Sequence, residues 1–186
     1  MDDLPPYFVD FSGFLDDCVE LWRAAADGLP PLDASFDVIR RVRITEYWLV
    51  KASCLACSAA HATPTDVRSV QAFDRLTLEV EAHLEAFYLS AFQLQEEVEY
   101  MARKGVRVGR FKADGITRAR NRLIVHQQDQ GNTPQSSSIA VSGNGDVRFR
   151  FGWSGTNEPS WRDPGLHANA EELRSVFQSA FLQPRN

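Results

Sequence analysis

Hydrophobic residues recur at helical spacing through the first two thirds of the chain. The clearest series alternates steps of three and four residues without a slip, which is typical of a long helix packed along other helices. Its members are Val70, Phe73, Thr77, Val80, Leu84, Phe87, Ala91, Leu94, Val98 and Met101. Together with turn and capping residues, such patterns predict three helices, over residues 12–28, 35–61 and 63–105.

The pattern changes after a shorter fourth helix, which Asp114 is predicted to cap. Apolar residues then alternate with polar ones around a Gly-Asn-Gly-Asp turn, which predicts a β-hairpin over residues 138–153. Asn169 is predicted to cap a last helix over residues 169–182. The predicted fold class is therefore all-α: an antiparallel four-helix bundle over residues 12–127, with an appended β-hairpin and C-terminal helix.

Length and composition fit this fold. The 186 residues correspond to one domain, and a hydrophobic fraction of 44% is too high for a disordered chain. No run of about 18 uncharged apolar residues occurs, so no membrane partner is expected. The chain begins Met1-Asp2-Asp3, without the positive charge of a signal peptide, and three cysteines do not make a disulfide scaffold. We therefore expect a cytoplasmic protein with residues 1–186 in a single domain.

Charge is unevenly distributed along the chain. The window of residues 103–122 carries eight basic residues and one acidic residue, a net charge of +7, whereas the rest carries 12 basic and 24 acidic residues, a net charge of −12. Most of the surface would repel a polyanion, and this window would attract one. The alternative is a solvated face that balances the acidic helices.

The sequence offers little for a metal or cofactor. Cys54, Cys57 and His61 have a spacing that resembles part of a metal site, but all three fall on one predicted helix and no second pair completes four ligands. Small cysteines among alanines fit a helix-packing surface better. No phosphate-binding glycine loop and no Gly-x-Ser-x-Gly turn is present, so we expect no cofactor.

One charged residue falls on the packing face of the fourth helix. At 100° per residue, Arg120 lies within the apolar sector that Ile116, Ala119 and Leu123 define. A buried, unpaired guanidinium costs several kcal/mol or so, so Arg120 must meet a carboxylate or face a wet cleft or a subunit contact. His126 lies at the other edge of the same sector.

The sequence Arg120-Asn121, four further residues, and His126, late in a helix that follows a long helix, resembles the HEPN family. The signature of that family is Arg, four to six residues, then His, commonly with a polar residue after Arg. The resemblance implies a metal-independent endoribonuclease that cleaves phosphodiester bonds in a cleft between two subunits. His126 would act as general acid or base, Arg120 would stabilise the charge on phosphate, and Asn121 would orient it.

This interpretation assigns RNA binding to the other basic residues of the window, which are Arg103, Lys104, Arg107, Arg110, Lys112, Arg118 and Arg122. Expected partners are RNA, a second copy of the chain, and an antitoxin or another protein.

Two alternatives stay open at this point. The chain could be a non-catalytic HEPN-like module that binds RNA or protein. In the other alternative, the basic window docks an acidic partner and Arg120 forms a buried ion pair with Glu96, Glu97 or Glu99.

Overall fold

The computed structural model describes residues 9–26, 33–62, 66–121, 137–142, 146–151 and 163–182. These parts of the chain are mostly helical. In chain order the elements are α1 (Asp16–Ala26), α2 (Asp33–His61), α3 (Val67–Arg103), α4 (Asp114–Arg120), β1 (Ser137–Val141), β2 (Val147–Phe151) and α5 (Leu166–Leu182). The prediction of a mostly helical protein with one hairpin and a C-terminal helix is confirmed. None of the described helices is both long and apolar enough to cross a membrane.

The two long helices, α2 and α3, lie antiparallel along each other. The buried hydroxyls of Thr45 and Ser90 are 2.8 Å apart, and the Arg41 Nε lies 3.1 Å from a carboxylate oxygen of Glu97. Residues earlier in α2 thus meet residues later in α3. The α3 side of this core is formed by the buried residues Val80, Leu84, Phe87, Ala91, Leu94, Val98 and Met101. Seven members of the predicted heptad series are therefore confirmed as core.

The first three members of that series are not core residues. Val70 is 44% exposed, and Phe73 and Thr77 are only half-buried. A periodic pattern fixes the face of a helix that packs, but it does not fix how far along the helix a packing partner extends. The predicted packing of the first turns of α3 is therefore wrong.

The starts of α3, α4 and α5 differ from the prediction. The helix α3 begins after Asp66, whose carboxylate accepts a hydrogen bond from the Ser69 amide while the Ser69 hydroxyl accepts one from the Asp66 amide. For α4 the cap position is Ala113, one residue before Asp114, and no side chain caps it. Asn169 lies inside α5 rather than at its start, because its amide is used in a buried polar cluster described below.

The hairpin is antiparallel, with Ser137 opposite Phe151 and Val141 opposite Val147. Val147 is fully buried, and the half-buried side chain of Val141 packs against the helical core. The strand β1 lies against α2, and β2 lies against α5. The ribbon therefore covers part of the helical core, as a lone two-stranded sheet requires for stability.

A polar contact and an aromatic contact join α1 to α5. The Arg174 guanidinium donates to an oxygen of Asp17 at 3.1 Å, and the rings of Trp22 and Phe181 meet edge to face at 6.0 Å. Burial alone would raise the pKa of Asp17, but hydrogen bonds from Arg174 and Gln178 outweigh it and lower the pKa. The helix α5 is thus fixed against α1.

Candidate functional site

The segment of residues 104–113, between α3 and α4, presents basic side chains in a fixed frame. We call it the cationic segment. Its buried residues are Val106, Val108, Phe111 and Ala113, and its exposed basic residues are Lys104, Arg107, Arg110 and Lys112. Apolar and basic side chains nearly alternate, as they do along an extended chain with one buried face. Burial of the apolar residues therefore holds the basic side chains on the outer face.

Three contacts anchor the cationic segment to the rest of the protein. The Gly109 amide donates to the carbonyl of Ala180 in α5 at 2.6 Å. The Phe111 ring meets the Phe177 ring edge to face at 5.2 Å. At the end of the segment, the Ala113 amide donates to the side-chain oxygen of Gln95, which is buried on α3, at 2.6 Å. The segment is thus held from both α3 and α5.

Several cations of this region have no acidic partner in the described parts of the chain. Among the described residues, no carboxylate oxygen lies within 4 Å of Arg103, Arg107 or Arg110, whereas Lys112 pairs with Asp114 at 3.2 Å. A cleft of about 470 Å³ lies between the last turn of α3 and the cationic segment. Arg103, Arg107 and Arg110 all line it. The structure therefore brings three of the sequence-predicted basic residues to one cleft.

The short helix α4 follows the cationic segment and is seated on α5. Its Gly115 amide donates to a carboxylate oxygen of Glu172 at 2.9 Å. Ile116 and Ala119 are buried, as their spacing predicts, and Arg118 is exposed. Because Glu172 comes from α5, the start of α4 is positioned by a residue far along the chain.

We expect Gly115→Ala to lower the free energy of unfolding by about 1–3 kcal/mol, because the new methyl group overpacks this contact. A Cβ at this position would lie 2.4 Å from the Asn169 Oδ1 and 2.4 Å from a Glu172 carboxylate oxygen. Glu172 can turn away, but Asn169 is buried and held by hydrogen bonds. Urea unfolding monitored by circular dichroism measures the effect. An unchanged midpoint would contradict the close seating of α4 on α5.

Arg120, at the end of α4, is half-buried and stacked on an aromatic ring of α3. Its guanidinium carbon lies 4.3 Å from the centroid of the Phe92 ring, and its Nη1 donates to the Asn121 Oδ1 at 2.9 Å. The Nε of Arg120 is buried and has no hydrogen-bond partner among the described residues. One guanidinium donor of Arg120 therefore has no hydrogen-bond acceptor among the described residues.

The carboxylates expected as alternative partners of Arg120 do not pair with it. Glu97 binds Arg41 instead, Glu96 and Glu99 are exposed, and none of them forms an ion pair with Arg120. A ring face attracts a cation, but it does not neutralise the charge or accept hydrogen bonds from every guanidinium donor. Within the described part of the chain, no carboxylate therefore pairs with the Arg120 guanidinium.

Not every residue predicted for the site can be placed. Asn121 lies directly against Arg120, whereas Arg122 and His126 fall outside the described residues. The polar stretch 127–138 lies outside them except for its last two residues, which begin β1.

Sequence reasoning missed Phe92 and Gln95. The sequence carried no signal for Gln95, because its burial, and with it the need of its amide for a hydrogen-bond partner, is evident only in the structure.

A buried polar cluster positions α5 behind this site. The Asn169 side-chain amide donates to the Tyr88 hydroxyl at 2.7 Å and to an Asp163 carboxylate oxygen at 3.1 Å. The Gly165 amide donates to the same oxygen at 3.1 Å. Burial raises the pKa of the Tyr88 hydroxyl well above its usual value, and the negative charge of Asp163 adds to the shift. The cluster joins the middle of α3 to the start of α5.

The cysteines of α2 form part of the helix-packing surface. Cys57 is buried, burial raises the pKa of both Cys54 and Cys57, and the His61 Nδ1 lies 2.7 Å from the Cys57 carbonyl oxygen. Within the described ranges, no three His, Cys, Asp or Glu side chains are grouped so that they could hold a metal ion.

Comparisons of the chain with protein-family models, with curated proteins and with solved structures found no match.

Proposed function

We propose that this protein is a metal-independent endoribonuclease of the HEPN type, with Arg120, Asn121 and His126 as its catalytic residues. The observation that carries the proposal is the state of Arg120. Its guanidinium is half-buried and stacked on Phe92, and the described residues provide no carboxylate partner. Placing a charged side chain in this half-buried position costs free energy that a hydrophobic side chain of similar size would not cost. The charge at Arg120 therefore indicates a function. Binding of a phosphodiester is such a function.

The proposed reaction is transfer of the phosphodiester to the neighbouring 2′-hydroxyl. His126 takes the proton of the 2′-hydroxyl as its oxygen bonds to phosphorus, and it returns a proton to the 5′ oxygen as the bond between phosphorus and that oxygen breaks. The products are a 2′,3′-cyclic phosphate and a 5′-hydroxyl. Arg120 stabilises the charge on the phosphate oxygens. Because its position is fixed before RNA binds, no free energy is spent on moving it during the reaction.

Asn121 has a positioning role in this proposal. Its Oδ1 accepts a hydrogen bond from the Arg120 Nη1, which holds the guanidinium in one orientation over the Phe92 ring. Its own amide group remains a donor for a phosphate oxygen. Fixed donors are worth more to catalysis than mobile ones, since they need no reorganisation when charge develops.

The proposal includes the quaternary arrangement that the family resemblance implies. The helices α1 to α4 would form the antiparallel HEPN-like bundle, and two copies would bring their Arg120 and His126 residues to one cleft. The described order of a long helix, α3, followed by the short Arg-bearing helix α4 agrees with the helix order that the resemblance implies. Expected partners are therefore RNA and a second copy, with an antitoxin or another protein as a further partner.

The cationic segment favours a second candidate function, RNA binding without cleavage. Arg107 and Arg110 are fixed on the protein surface by their buried neighbours, and neither has an acidic partner in the described chain. This surface can bind phosphates whether or not His126 reaches Arg120. The protein would then be a non-catalytic HEPN-like module.

The deciding experiment is incubation of mixed RNA with the purified protein in EDTA, followed by gel analysis. Cleavage by the wild type, lost in His126→Ala and in Arg120→Ala, is the expected result. The matched control is Arg75→Ala, which removes an exposed arginine of α3 outside the basic window and should cleave like the wild type. Equally intact RNA in all samples would reject the ribonuclease and leave the binding module.

A further inference from the structure

An exposed tyrosine lies beside the basic cleft, at the end of α3. Tyr100 is 46% exposed, although an aromatic side chain on a packed helix is more often buried. The Lys104 Nζ lies 5.4 Å from its ring centroid, and the Arg103 guanidinium carbon lies 5.9 Å from it. Both cations thus lie over the ring, so a base that stacks on Tyr100 must displace one of them from a ring face.

Such a combination fits single-stranded nucleic acid. Unpaired bases stack on exposed aromatic rings, and nearby cations bind the backbone phosphates that connect the bases. The cleft next to Tyr100 has an apolar floor that includes Val106 and Phe111, with Arg107 and Arg110 at its rim. A volume of about 470 Å³ is within the range of sites for small organic groups. The volume of the cleft and the excess of three arginines over one glutamate in its lining are therefore compatible with a nucleotide.

The acidic residues near this cleft are few but close. Glu99 is the one carboxylate among the described residues that line it, and Glu96 lies one turn earlier on α3. Each would repel a phosphate placed nearby. The phosphates of a bound strand should therefore follow the side of the cleft formed by Arg107 and Arg110, and the base should lie towards Tyr100.

The cleft and the Arg120 site lie on the same face of α3. Phe92, which stacks on Arg120, and Arg103, which lines the cleft, are separated by about three helical turns, or about 16 Å of helix rise. Eleven positions at 100° return close to the same angle around the helix axis. One strand of RNA could therefore occupy both places.

We propose that the end of α3 and the cationic segment bind single-stranded RNA, with one base stacked on Tyr100 and the adjoining phosphates on Arg103, Arg107 and Arg110. This inference rests on the proposed function in taking RNA as the ligand. It adds a substrate class, single-stranded rather than duplex RNA, and a binding residue, Tyr100, outside the predicted site.

The test measures binding of a fluorescein-labelled oligoadenylate of about ten nucleotides by fluorescence anisotropy. All proteins carry His126→Ala and are kept in EDTA, so that the RNA stays intact. The variants compared are Tyr100→Leu, which removes the ring, and Tyr100→Phe, which keeps it. The matched control is Tyr47→Leu on α2, because Tyr47 is 52% exposed and has the Lys51 Nζ 5.7 Å from its ring centroid.

We expect Tyr100→Leu to weaken oligoadenylate binding by about 5-fold to 150-fold, the range of one base–aromatic stack. Tyr100→Phe and Tyr47→Leu should bind like the parent protein. A duplex of the same length should show no loss on Tyr100→Leu, because its bases are already stacked on each other. Equal oligoadenylate affinity for Tyr100→Leu and Tyr47→Leu overturns the inference, as does an equal loss with the duplex.

Failure of this inference differs from failure of the proposed function. Tyr100-dependent binding by a protein that leaves RNA intact in EDTA rejects cleavage and supports the stacking site. Cleavage that requires Arg120 and His126, together with binding that is indifferent to Tyr100, rejects the stacking site alone.

Discussion

Replacing Arg120 by methionine should lower the rate of RNA cleavage by at least about 100-fold and leave the thermal midpoint unchanged or higher. In the proposed reaction, the loss follows from removing a fixed cation that would stabilise charge on the reacting phosphate. The unchanged stability follows from the surroundings of Arg120, which has a ring contact and one hydrogen bond to its neighbour Asn121. Methionine keeps the contact with Phe92, since thioether groups pack well on aromatic rings. Single-turnover cleavage and calorimetry measure the two effects.

A comparison with Arg43 sharpens this test. Arg43 binds Asp16 and also donates to Glu46, a mostly buried glutamate, at 3.0 Å. Arg43→Met should therefore lower the thermal midpoint while leaving cleavage intact, because it leaves a buried carboxylate without its cation. Arg120→Lys keeps the charge but loses the planar stack, and it should recover only part of the rate. A fall of several degrees for Arg120→Met with cleavage unchanged would make Arg120 a structural residue.

Replacing Asn169 by leucine should lower the free energy of unfolding by about 3 kcal/mol. Asn169 is fully buried and donates to both the Tyr88 hydroxyl and the Asp163 carboxylate. Leucine has a similar volume, but it leaves the hydroxyl and the carboxylate facing an apolar group. Urea unfolding followed by circular dichroism and by tryptophan fluorescence gives the free energy and shows whether both probes report one transition.

The same helix supplies a control for Asn169. Gln178 also donates to an aspartate, Asp17, but both partners are only half-buried. Gln178→Leu should therefore cost less than about 1 kcal/mol, because solvent replaces the lost hydrogen bond. Equal effects of the two leucine variants would contradict a special role for the buried cluster.

Most of the fold prediction came from the local periodicity of hydrophobic residues. The heptad series of α3 predicted seven core residues from Val80 to Met101, because a helix shows a buried face as a repeat in its own sequence. Helix ends were predicted less well. Asn169 has the chemistry of a cap, but a buried hydroxyl and a carboxylate from other parts of the chain use its amide instead. A single sequence does not reveal such long-range partners.

The candidate site, like the fold, could be predicted only in part from the sequence. The position of Arg120 on a packing face followed from helical geometry, and the structure confirms that this side chain is half-buried. The contact partner of Arg120 could not be predicted in this way, because the angular position of a residue on α4 does not show which residue of α3 lies opposite. Sequence reasoning offered Glu96, Glu97 or Glu99 as partners, and the structure instead places Phe92 against the guanidinium. The base-stacking role of Tyr100 stays a prediction.

The anchoring of the cationic segment has a consequence for the order in which the protein matures. Gly109 and Phe111 are held by Ala180 and Phe177, which the ribosome adds about 70 residues later. Contacts so distant in sequence form only after the intervening chain has closed into a loop. A nascent chain that still lacks α5 therefore does not hold Arg107 and Arg110 in their final arrangement, and this basic surface forms only after α5 has been synthesised.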